Sequence, residues 1–120
     1  MNKDGQVVGT SEVNSESPES IHAFLWQNGK VTDLGTLGGP ASFAAAINAA
    51  GQVVGGANTR NRDIHAFLWE QGRMIDLNTR LPSGSEWRLI QATGINARGQ
   101  IVGVGSYRGH LHGFLLTPRR

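Results

Sequence analysis

The sequence predicts an all-β fold of short antiparallel strands, arranged as four-stranded repeats in a propeller-like array. Three observations carry that expectation. The run His-Ala-Phe-Leu-Trp stands at positions 22–26 and again, letter for letter, at 65–69, and it returns altered as His112-Gly113-Phe114-Leu115-Leu116. A second phrase, Asn-x-x-Gly-Gln followed by two β-branched residues and Gly, begins at Asn2, Asn48 and Asn96, so its copies lie 46 and 48 residues apart. Turn-forming residues separate the apolar runs and leave no space for crossover helices, which excludes a parallel sheet. Self-similarity at such a period marks a repeat architecture. The units are approximately 1–40, 41–88 and 89–120 of a single repeat domain.

The elements follow in order. Asn2 to Gly5 reads as a turn, because the Asn side chain can bond the backbone two residues on and Gly tolerates positive φ. Gln6-Val7-Val8-Gly9 is a short strand whose two valines point to opposite faces, so both faces need cover. Residues 10–20 are Ser- and Glu-rich with Pro18 and read as a surface loop. Residues 21–27 form a strand with His22, Phe24 and Trp26 on one face and Ala23 and Leu25 on the other. Asn28-Gly29 is a hairpin turn, and residues 30–34 return. Gly35 to Pro40 reads as an irregular connector.

The middle unit repeats these devices with strands over 42–48, 52–56, 64–69 and 74–77. The alanines of 41–48 would suit a helix. The equivalent run in the third unit, Leu89 to Asn96, holds Thr, Gly and two Ile and would not, so both read as strands. Residues 78–88 form a longer connector containing Trp87. The first unit lacks an opening strand and the third lacks a closing one, which gives ten strands in all. Four-stranded units of about 45 residues are what a propeller blade requires; a β-sandwich is the alternative.

Together with Asp33-Leu34-Gly35-Thr36-Leu37-Gly38-Gly39, Asp76-Leu77-Asn78 and Gly94-Ile95-Asn96, these phrases resemble the HAF-repeat family over essentially the whole chain, as the C-terminal portion of such a protein. Those are bacterial, usually extracellular or surface-associated proteins. The resemblance implies a propeller-like fold and secretion of the parent protein, and it implies no established reaction. The N-terminus, Met1-Asn2-Lys3-Asp4-Gly5, carries no export signal, so it assigns no compartment to this chain.

Composition narrows the function classes. There is no Cys, hence no disulfide framework and no thiolate ligand. No apolar run approaches a membrane span. Net charge is only +2, which does not advertise nucleic-acid binding, and no motif supports it. The charge is uneven: residues 1–40 carry two Lys against five carboxylates, and residues 41–120 carry nine Arg against four. The expectation is a non-catalytic propeller-like structural or binding module for glycans or other extracellular polymers. The alternative is a glycan-acting hydrolase using Asp or Glu in a central cleft.

His22, His65 and His112 recur at repeat positions, as do Asp33 with Asp76 and Trp26 with Trp69. Repetition favours structural roles, including a bond between each histidine and its aspartate. His110 and His112 share a strand face and offer a two-histidine clamp, but no carboxylate lies nearby in sequence, and no metal or cofactor is expected. Trp87 is unrepeated and lies beside Arg88 in a polar connector. With Arg80 it forms the candidate ligand-binding set, for a carbohydrate or an acidic polymer. No phosphate loop or nucleophile elbow is present. The apolar faces of the end blades predict a homo-oligomer, most simply a dimer closing the ring.

Overall fold

The structure, a computed structural model, describes residues 5–12, 21–61, 63–81 and 84–117. Ten strands form three antiparallel sheets. The first sheet holds β1 (Val7–Glu12), β2 (Ile21–Gln27) and β3 (Lys30–Gly35) in sequence order. The middle sheet holds β4 (Gly38–Ile47), β5 (Val53–Thr59), β6 (Ile64–Glu70) and β7 (Arg73–Asp76), also in order. A 3-10 turn, Leu77–Arg80, leads on to the last sheet. There β8 (Trp87–Ile95), β9 (Ile101–Tyr107) and β10 (His110–Leu116) lie side by side.

Local chemistry explains the hairpins. Asn28-Gly29, Gln71-Gly72 and Arg108-Gly109 all have positive φ, from 51° to 82°, at both central positions. That geometry matches the right-handed twist of the flanking strands, and Gly is the residue that adopts it without strain. The repeat phrases meet across the ladder. Gly9 pairs with Phe24, Gly55 with Phe67 and Gly103 with Phe114. In each pair the ring lies over the glycine, 2.7–3.0 Å from where a Cβ would stand. The glycine is required because the aromatic ring occupies the space of its missing side chain.

The middle sheet is buried on both faces. Val53, Ala57 and Phe67 pack against Ala23, Leu25 and Leu34 of the first sheet. Val54, Ala66 and Leu77 pack against Leu89, Ala92 and Ile101 of the last. The three sheets therefore lie face to face in series, within extents of 42 × 35 × 20 Å.

This corrects the propeller-like expectation. The all-β character stands, but among the described residues the sheets are separate and none is closed or curled. A two-layer sandwich fails as well, because there are three layers. The physical reason is that two apolar faces on one sheet require only one neighbour on each side. A serial stack meets that demand without a ring, and the homodimer invoked to close the ring loses its basis.

Smaller differences have local causes. Pairing extends β4 back through Gly39 and Pro40 to Gly38, with register shifts that absorb the irregular residues. β1 continues to Glu12, so the expected loop at 10–20 begins as strand; residues 13–20 and the turn at Asn2 lie outside the described residues.

Candidate functional site

The repeated histidines and aspartates form two separate pairs. His22 Nδ1 donates to Asp33 across 2.8 Å, and His65 Nδ1 donates to Asp76 across 2.8 Å. Each aspartate also holds the turn that follows it. Asp33 accepts from the Gly35 amide at 2.8 Å, and Asp76 accepts from the Asn78 backbone amide at 2.9 Å and from its side chain at 3.1 Å. Asn78 in turn exchanges two hydrogen bonds with the backbone of Leu89, so the second pair is tied to the last sheet.

His112 differs. Among the described residues no carboxylate pairs with it. Its ring stands edge-on to Trp87 and Tyr107, with centroids 6.0 and 6.2 Å away. Tyr107 carries the Arg108 guanidinium over its face at 5.5 Å, and Arg108 is ion-paired with Glu86. This ring cluster sits at one end of the last sheet. It joins Glu86 and Trp87 to Tyr107, Arg108 and His112 from a later stretch of the sequence, and only the unrepeated Trp87 hinted at it.

The expected ligand set does not converge. Trp87 turns inward against the second core, whereas Arg88, the next residue on β8, is exposed on the opposite face. Arg80 lies in the last turn of the 3-10 segment. The glycan-binding propeller module and the glycan hydrolase are both corrected at this point: among the described residues the sheets close no ring around a central cleft, and Asp33 and Asp76 are each engaged by their own sheet's histidine and turn. Among the described residues no group of three or more His, Cys, Asp or Glu could hold a metal ion, so His110 and His112 have no further ligand near them. No described helix is long and apolar enough to cross a membrane.

The Asn-x-x-Gly-Gln phrase is a turn with a ladder. Asn48 Oδ1 accepts from the amides of Ala50 and Gln52, and its Nδ2 donates to Gln52 Oε1 at 2.7 Å. Asn96 repeats the arrangement with Arg98 and Gln100. Asn48 Nδ2 also donates to the Asn96 carbonyl at 3.0 Å, which links one repeat to the next.

Exposed apolar surface marks the two ends of the stack. Of eight exposed large hydrophobic residues among the described ones, six lie on the outer faces: Trp26 and Val31 on the first sheet, and Val102, Val104, Leu111 and Leu115 on the last. Trp26 and Trp69 are repeat equivalents with different fates, since Trp69 packs into the first core and Trp26 is 40% exposed.

Repeat correspondence gives these faces a meaning. Val54 and Leu68 face the last sheet from the middle one, and Val8 and Leu25 face the middle sheet from the first. Their counterparts in the last sheet are Val102 and Leu115, which face outward. Phe67, Trp69 and Met74 face the first sheet from the middle one. Their counterparts Phe24, Trp26 and Val31 lie on the first sheet's outer face. The two internal interfaces are thus copies of one another, and the two end faces are the separated halves of a third.

No family model, curated protein or solved structure matches the chain, so the HAF-repeat resemblance and the extracellular setting it implied gain no support from comparison.

Proposed function

We propose that the chain is an assembly unit that associates head to tail with further copies of itself, the outer face of the last sheet docking on the outer face of the first. The observation that carries this reading is the repeat correspondence of the end faces. Val102 is 46% exposed, whereas its equivalent Val54 is fully buried by the next sheet. A contact between different faces is heterologous and extends a stack. Apolar surface removed from water contributes roughly 25 cal/mol per Å², and the two faces carry opposite charges, exposed Asp33 on one and exposed Arg88 on the other. The role is structural rather than catalytic. Its support is that Asp33 and Asp76 are already engaged in fixing turns.

Sedimentation velocity over a wide concentration range tests the reading. The weight-average mass is expected to rise above the 12.9 kDa of one chain. Val102→Lys combined with Leu115→Lys is expected to abolish the rise. A chain that stays monomeric at every concentration sinks the proposal.

A further inference from the structure

We infer that the free edge of β10 is an acceptor site for one added β-strand reading aliphatic-x-Asp-Leu, which a separate peptide can supply. Three observations converge on this edge.

The first is topology. In the middle sheet β6 is flanked by β5 and β7, and in the first sheet β2 is flanked by β1 and β3. β10 is the repeat equivalent of β6 and β2, yet β9 alone pairs with it among the described residues. Among the described residues nothing pairs with its outer row of backbone donors and acceptors, which is the template for strand addition.

The second is the unpaired histidine. His22 and His65 each bond an aspartate carried by the neighbouring strand, β3 or β7. His112 holds the same position on β10, is exposed, and has no carboxylate partner among the described residues. Its surroundings therefore lack the one group that both of its equivalents possess.

The third is space. A cleft of about 290 Å³ runs beside β10, lined in part by Leu81, Trp87, Leu89, Phe114 and Leu116. In the middle sheet Met74 of β7 packs into the core beside Trp69, the equivalent of Leu116. The cleft offers an aliphatic side chain on an added strand the corresponding place.

The internal repeats set the register. Phe67 pairs with Asp76, Leu68 with Ile75 and Trp69 with Met74. An added strand consequently places its aspartate opposite Phe114 and within reach of His112. The residue two before it lies opposite Leu116 and enters the cleft. The residue before the aspartate lies opposite Leu115 on the outer face, and the leucine after the aspartate falls on that same face, toward Gly113. This site is an edge rather than a face, so it does not depend on head-to-tail stacking.

The test uses a fluorescein-labelled heptapeptide with the sequence of residues 72–78, Gly-Arg-Met-Ile-Asp-Leu-Asn, and the full chain, read by fluorescence anisotropy. Saturable binding is expected. Replacing the peptide's aspartate by asparagine is expected to weaken it by about tenfold, the scale of one hydrogen bond to a charged group. His112→Gln in the protein is expected to weaken the parent peptide to a similar degree and to add little with the asparagine peptide, as coupled partners do. N-methylation of the peptide amides that face β10 is expected to abolish binding. No saturable binding, or binding indifferent to both the aspartate and the N-methyl groups, overturns the inference. The peptide-side changes decide it even if His112→Gln were to unfold the chain.

Discussion

The Asn48 side-chain amide donates to the backbone carbonyl of Asn96, the residue at the same position one repeat later, at 3.0 Å. Asn48 is buried and satisfies both ends of its side chain, whereas the Asn96 side chain bonds within its own turn. Removing one partner of a buried hydrogen-bond set costs about 1–3 kcal/mol for each group left unsatisfied. Asn48→Ala is therefore expected to destabilise more than Asn96→Ala, by about 1 kcal/mol or more. Urea unfolding of the two variants measures the difference.

Gly55 and Gly113 make a contrasting pair. A Cβ on Gly55 would run into the Phe43 carbonyl oxygen as well as the Phe67 ring. A Cβ on Gly113 meets nothing nearer than 3.8 Å, and its repeat equivalents are Ala23 and Ala66. Gly55→Ala is expected to cost about 1–3 kcal/mol or more, and Gly113→Ala to stay within about 0.5 kcal/mol of the parent. Thermal melts of both variants check the contrast.

Asp76 and Asp33 carry the same bonds in unequal settings. The Asp76 side chain is 21% exposed and that of Asp33 is 51% exposed, so water can replace the bonds of Asp33 more readily. Asp76→Ala leaves His65 and the Asn78 amides without their acceptor and is expected to cost about 1–3 kcal/mol. Asp33→Ala is expected to cost less. Denaturant midpoints of the two variants decide the order.

Trp69 and Trp26 test the positional argument. Trp69→Ala opens space beside the first core and is expected to lower stability by about 3 kcal/mol. Trp26→Ala removes an exposed ring and is expected to cost the monomer distinctly less. Equal losses measured by urea unfolding at low protein concentration would contradict the placement of Trp26 on an outer face.

Much of the strand layout was legible in the sequence. Val53-Val54 announced a sheet covered on both faces, and the alternation of Ala23 and Leu25 with Phe24 and Trp26 gave the two sides of β2; the same reading of Val7-Val8 fails, because the first sheet is covered on one face and exposes Trp26 and Val31 on the other. The stacking order was not legible. Apolar residues on two faces say that each needs a neighbour, but not how successive sheets are disposed, and that gap is where the propeller reading entered. Gly38, Gly39 and Pro40 read as a break because Gly and Pro punctuate most chains, yet a bulged strand tolerates them. The ring cluster of Trp87, Tyr107 and His112 was hidden because three strands bring together residues 25 positions apart in sequence at the extremes. The repeat itself located both histidine–aspartate pairs, since one spacing served two units.

Two single-face variants test head-to-tail association most directly. Trp26→Lys with Val31→Lys blocks the first sheet's outer face, and Val102→Lys with Leu115→Lys blocks the last sheet's. Both pairs of residues are exposed, so the substitutions leave the cores intact. Light scattering coupled to size exclusion then measures each variant alone and the equimolar mixture. The expected result is a monomer for each variant alone and a complex of two chains in the mixture, because one variant keeps the face that the other's remaining face requires. A dimer formed by either variant alone, or a mixture that remains monomeric, would contradict the account.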